Sequence, residues 1–202
     1  MAITPRQFEQ MQARLGDSKR APAPVFESRH RASSGKNQII IGVDPSLRGT
    51  GYGVILLTRP NPRALTHGTI ACPSGWARSR CLVKISQTLR EVVAKYQPTV
   101  CAIEGLFFAQ NLQTAQIMGE ARGAALAVLA EAGLEIFEIA PRKVKQAIVG
   151  YGAAQKTAVG KMVQRLLQLP EPPSPDAADA LAIALAHAQD SRRTFGAGAK
   201  RI

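Results

Sequence analysis

The sequence predicts an α/β fold, a five-stranded mixed sheet flanked by helices. Three observations carry that expectation. Ile39 to Val43 and residues 99–104 (TVCAIE) are short apolar runs rich in β-branched side chains, the pattern of strands buried on both faces. Arg78 to Tyr96 places Leu82, Ile85, Leu89, Val92 and Val93 on one stripe, as an amphipathic helix does. The order of elements, β-β-β-α-β-α-β followed by helices, then joins strands through helical connections.

Taken in turn, Ile39 to Val43 is the first strand, and GTGYG after it reads as a glycine-rich turn. Val54 to Leu57 and Leu65 to Ala71 are two further strands joined through the PNP turn. The helix over Arg78 to Tyr96 leads to the fourth strand, 99–104. Leu112 to Ala132 is a long helix rich in Ala and Gly and closed by Gly133; its small residues suit close approach of the sheet or of a second copy. LEIFEIA, residues 134–140, is the fifth strand. Pro141 opens a short helix from its first turn, where a missing N–H costs nothing. Two more helices follow, Ala154 to Leu169 and one beginning at SPDAADAL, residues 174–181.

At 202 residues the chain suits one domain with a substantial core. It divides into a basic extension over 1–37, expected to be disordered apart from a short helix around Thr4 to Leu15, a folded domain over 38–189, and a loose basic tail over 190–202. No apolar run is long enough to span a membrane. The N-terminus lacks the apolar stretch of a secretory signal, and Glu9, Asp17 and Glu27 argue against an organelle transit peptide. Cys72, Cys81 and Cys101 are odd in number and have no metal-like spacing, which predicts reduced thiols and a cytoplasmic protein. The net charge of +12 attracts polyanions; +4 lies in residues 1–37 and +3 in 190–202, leaving +5 for the folded part.

Asp44 ends the first buried strand and Glu104 the fourth. A right-handed helical connection makes these strands parallel and close, so both acids fall on one rim, where open α/β sheets hold their ligands. Asp176 and Asp179, at i and i+3, share a face at the head of an otherwise apolar helix. Docked on the rim, that helix brings four carboxylates together. Like charges raise one another's pKa, whereas hard divalent cations accept such oxygens and retain water for a phosphate. Two ions about 4 Å apart form a phosphodiester hydrolysis site. Any one of these acids alone reads as a turn former, a strand-end partner or a cap; the joint arrangement carries the inference. Lys145 and Lys156 flank GYG, a slender loop suited to approach by a phosphate, and one of Phe107 and Phe108 is expected beside the rim. His187, on an apolar helix, reads as a packed core histidine.

The segments IIIGVDPSLRGTGYGVI, AIEGLFFAQN, GEARGAA, RKVKQAIVGYGAAQK and DAADALAIALAHA resemble the RuvC-type Holliday junction resolvases, crossover junction endodeoxyribonucleases of the RNase H-like superfamily. The likeness runs from 38 to 189 with the motifs in order. It implies an RNase H-like nuclease that resolves four-way DNA junctions by paired symmetric nicks in recombination and repair. It further implies a homodimer and Mg²⁺, with Mn²⁺ as a substitute and two ions per active site. It leaves open whether a RuvAB branch-migration complex is engaged. By the resemblance, Asp44, Glu104, Asp176 and Asp179 are the catalytic, metal-binding acids. Phe107 stacks at the opened junction centre, and Lys145 and Lys156 meet the DNA backbone. Two departures stand out: Ser46 where Gly commonly follows the proline, and Gly105 in place of a polar residue. Neither removes an acid. An RNA-directed relative, a catalytically dead junction binder and an actin-like ATPase are the competing readings; the last needs a second Gly-rich hairpin and a second domain that the chain lacks.

Overall fold

The computed structural model describes residues 38–105, 111–192 and 200–202. Phe107 and the expected N-terminal helix lie outside the described residues. Within them the elements run β1 (Ile39–Asp44), β2 (Gly49–Leu56), β3 (Arg63–Ala71), α1 (Arg78–Tyr96), β4 (Val100–Glu104), α2 (Leu112–Glu131), β5 (Glu135–Ile139), α3 (Pro141–Val149), α4 (Lys156–Leu166), α5 (Pro175–Arg192) and β6 (Lys200–Arg201).

The sheet has the order β3-β2-β1-β4-β5-β6. The first three strands are antiparallel neighbours, β1, β4 and β5 run parallel, and β6 is antiparallel to β5. The mixed sheet and the parallel pairing of the first and fourth strands are therefore as expected. Two features differ. GTGYG is not a turn: β2 begins at Gly49 and runs through these glycines, paired with β1 from Asp44↔Gly51 to Ile39↔Leu56. The described residues also hold six strands rather than five. The sixth has only two residues, with no apolar period to betray it. It is set by the open edge of β5: Ile202 donates its N–H to the Ile136 carbonyl at 3.0 Å, and Arg201 pairs with Glu135 at 3.0 Å.

Strand alternation divides the core in two. Ile41, Val43, Cys101, Ile103 and Ile136 face α1 and α2, packing on Ile85, Leu89, Ala121, Ala125 and Leu129. Ile40, Ala102 and Ile139 face the other way, onto Val144, Ile148, Val163, Leu181 and Ala184 of α3, α4 and α5. The three cysteines are reduced and buried. His187 is buried in this second layer, its ring 4.7 Å from that of Phe137, as a packed core histidine should be.

Three glycines seat α5 directly on the sheet. A Cβ on Gly42 would stand 2.0 Å from the Ala180 carbonyl oxygen, one on Gly51 2.0 Å from that of Asp176, and one on Gly53 2.6 Å from Leu181 Cδ2. The small side chains of Ala177, Ala180 and Ala184, all fully buried, complete the close approach. Ser174, just before α5, accepts from the Ala178 N–H at 2.8 Å and joins its hydroxyl to that of Thr69 on β3 at 2.8 Å. The head of α5 is thus pinned to the rim where β1 and β4 end.

Candidate active site

Asp44 and Glu104 each end a strand, and the register Val43↔Ile103 sets them side by side. Asp44 shares the strand face of Ile40, and Glu104 that of Ala102, both in the α3–α5 layer, so their side chains leave the sheet toward α5. They share a hydrogen bond. Burial, then the charge and hydrogen bond of Glu104, then the charge of Asp179 push the Asp44 carboxyl up from 3.8 to about 8, against the lowering effect of Lys156. Burial also raises Glu104, while the hydrogen bond from Asp44 acts to lower it. Burial and mutual repulsion thus make it costly to ionise both carboxyl groups at once, and a proton on Asp44 is donated to Glu104.

Asp179 lies one turn into α5. Its Oδ2 accepts from Lys156 Nζ at 2.8 Å, and its charge acts on both Asp44 and Glu104. This hydrogen bond is the chief cause of the raised Lys156 pKa, with the charges of Asp179, Asp44 and Glu104 adding to it. Lys145, on α3, is close enough for its charge to act on Glu104. The structure so brings together Asp44, Glu104, Asp179, Lys145 and Lys156. Asp176 stands at the same rim but turns aside. Its Oδ2 lies over Gly49, 2.8 Å from where a Cβ would be. Among the described residues no three His, Cys, Asp or Glu side chains form a ready-made metal cage. Asp44 and Glu104 are tied by their proton, Asp179 by Lys156, and Asp176 is turned to β2.

The turn after Asp44 is fixed from both ends. Thr50 donates its hydroxyl to the Ser46 carbonyl at 2.5 Å and accepts the Ser46 N–H at 3.2 Å. Arg48 reaches across to the carbonyls of Pro73 (2.5 Å) and Trp76 (3.1 Å) and to Cys81 Sγ (3.3 Å). Ser46, a departure in the sequence, fits here because its contacts use only its backbone. The sequence reading missed the glycine seat under α5, and it missed Arg122, a buried arginine bonded to the Glu104 carbonyl. Alternate glycines at 49, 51 and 53 in a strand were the available signal for the first.

Residues 40–187 match the family model for crossover junction endodeoxyribonuclease RuvC. The chain belongs to the RuvC family. RuvC of Akkermansia muciniphila is 46% identical over 148 residues, covering 73% of this chain and 89% of that protein. RuvC of Rubrobacter xylanophilus is 43% identical over 162 residues, covering 80% and 90%. Among solved structures, T. thermophilus RuvC in complex with a Holliday junction substrate superposes with a TM-score of 0.75 at 33% identity, covering 82% of this chain and 99% of that one. The yeast mitochondrial Holliday junction resolvase Ydc2, at 11% identity and a TM-score of 0.51, shares the fold. The mixed sheet and its flanking helices are thus those of RuvC, and they agree with the RNase H-like architecture expected from the motifs.

Proposed function

We propose that this chain resolves four-way DNA junctions by symmetric, divalent-metal-dependent nicking, as a homodimer in DNA recombination and repair. The observation that carries this reading is the convergence of Asp44, Glu104 and Asp179, from two strands and a helix, beside two lysines. The relatives are named crossover junction endodeoxyribonucleases, and the Thermus protein is described with a junction bound, which supports the choice of substrate.

The donor set suits a hard cation: every candidate ligand is a carboxylate oxygen, and the Asp44–Glu104 pair retains a proton that a cation would replace. Asp44, Glu104 and Asp179 would hold the ions, with Asp176 completing the set by turning from Gly49. Mg²⁺ is the fitting ion, Mn²⁺ its substitute, with two ions per site. Bound there, such ions supply Lewis acidity to the scissile phosphate and lower the pKa of the attacking water. The chain's own groups do the rest. Lys156 donates to Asp179, which holds its ammonium beside the acids, where it would meet an incoming phosphate. Lys145 approaches the same backbone, and Phe107 stacks on a base at the junction centre. Two sites are needed for two cuts, and an isologous dimer matches the two-fold symmetry of the junction. No helix among the described residues is long and apolar enough to cross a membrane.

The test is incubation of purified protein with labelled four-way junctions, linear duplex and three-way forks, with and without Mg²⁺. Paired nicks in opposing strands of the junction, dependent on Mg²⁺, are expected; equal cutting of linear duplex would reject the reading. Junction affinity should fall steeply with salt as neutralised phosphates release counterions, by roughly 10³-fold or more between 50 and 200 mM if six or more phosphates are contacted. A flat salt response in an equilibrium binding titration would remove the basic face from the interface.

A further inference from the structure

Arg122 stands apart from everything the proposed chemistry uses. It is a charged residue in the middle of α2, yet only 10% of its side chain is exposed. Isolated burial of a guanidinium is unfavourable unless its donors find partners, and these do. Nη1 donates to the main-chain oxygen of Glu104 at 2.6 Å, and Nη2 makes a short ion pair with Glu138 of β5.

The location of the first bond matters. The peptide group between Glu104 and Gly105 has two polar ends. Its N–H, from Gly105, donates to the Ile139 carbonyl at 3.0 Å. Its C=O is the oxygen that Arg122 holds. With both ends held, this peptide plane cannot rotate about the Cα–C bond of Glu104. The backbone that launches the Glu104 side chain is therefore fixed at the last rung of the β4–β5 ladder. Glu138 in turn fixes the guanidinium. By alternation it shares the face of Ile136 and Ile103, opposite the one from which Glu104 projects. Arg122 thus acts on Glu104 from behind the sheet and cannot itself reach the reacting phosphate.

We infer that Arg122 is a positioning residue for Glu104, setting the peptide plane from which this acid is aimed at the metal and phosphate. The inference rests on the nuclease reading above. Displacement of a reacting group by about 1 Å costs on the order of 10²-fold in rate, so loss of this anchor should appear in turnover and cation binding rather than in affinity for DNA.

The experiment compares wild type with Arg122→Met, Arg122→Lys and Glu138→Gln, each checked by circular dichroism and assayed where it is folded. Three readouts are taken: the single-turnover cleavage rate at saturating protein, the junction Kd, and the rise in Tm on adding Mn²⁺. Arg122→Met should cleave about 10- to 100-fold more slowly, with Kd unchanged within about threefold and a smaller Mn²⁺ shift. Arg122→Lys, whose ammonium is a single point donor, should recover part of the rate. Glu138→Gln keeps an acceptor for the guanidinium and should stay within about threefold of wild type. A folded Arg122→Met protein with wild-type rate and a wild-type Mn²⁺ shift would overturn the inference. If that variant does not fold, Arg122→Lys decides: a slower rate at unchanged Kd supports the role, and a wild-type rate overturns it. Should wild type itself fail to cleave the junction, the nuclease reading fails, and the Mn²⁺ shift alone then judges the positioning role.

Discussion

Asp44→Asn should abolish junction cleavage, by about 10³-fold or more, while making the protein more stable at alkaline pH. The activity loss follows from removing an anionic oxygen from a site whose proposed ions supply several kcal/mol to the transition state. Junction binding should survive, because the lysines remain. The stability gain follows from the environment of Asp44. Burial and the neighbouring acids raise its carboxyl to about 8, from 3.8 in the unfolded chain. The folded state thus keeps a proton that the unfolded state releases near pH 3.8. The stabilisation from that difference is complete below this pH and drains away as the pH climbs to about 8. In a chelator, the wild-type Tm should therefore fall between pH 5 and pH 8 more steeply than that of Asp44→Asn. At pH 8 the variant should lead by about 1–2 kcal/mol. Thermal melts across that range decide the matter, and parallel pH slopes would show that the acid pair carries no such strain.

The second large effect concerns glycine rather than charge. Gly42→Ala and Gly51→Ala each drive a methyl group to within 2.0 Å of a backbone oxygen of α5. A backbone atom cannot swing away as a side chain does, so the helix must lift off the sheet. Overpacking costs about 1–3 kcal/mol even where side chains can adjust, and here about 3 kcal/mol or more is expected. Gly53→Ala meets the flexible end of Leu181 and should cost less. Gly75→Ala, with nothing within 4 Å, is the near-neutral control. Urea unfolding midpoints rank the four. A Gly51→Ala protein as stable as wild type would mean that α5 does not need its close seat. That variant should also lose cleavage, since its methyl group strikes the Asp176 carbonyl in the first turn of α5.

How much of this was legible beforehand depends on which physics set each feature. Buried runs such as Ile39 to Val43 announce strands by composition, and the stripe from Leu82 to Val93 announces α1 by period. Asp44 and Glu104 could be placed on one rim because parallel strands joined by a helix leave little choice. The GTGYG segment misled because glycine signals turns locally, whereas here its missing side chains answer a contact with a helix more than a hundred residues later. Lys200–Arg201 was invisible because its pairing comes from the edge of β5 and the charge on Glu135, not from its own pattern. Asp176 and Asp179 were correctly set on one helix face, yet only one of them turns toward the strand acids. Side-chain direction in a charged cluster depends on the partners at hand, and Lys156 and Gly49 are not neighbours in the chain. Arg122 lies inside the GEARGAA segment that resembles the family, yet nothing in its local pattern told a buried anchor from a solvated charge on an alanine-rich helix.

The bond between Lys156 and Asp179, together with the proton shared by Asp44 and Glu104, gives the acidic cluster its own internal counterweight. Domains that depend on zinc to fold collapse when it is stripped away. Here the acids have partners among the chain's own groups, so a chelator should silence the protein without unravelling it. Resupplying the ion would then return a working tool at once, with no need to rebuild it.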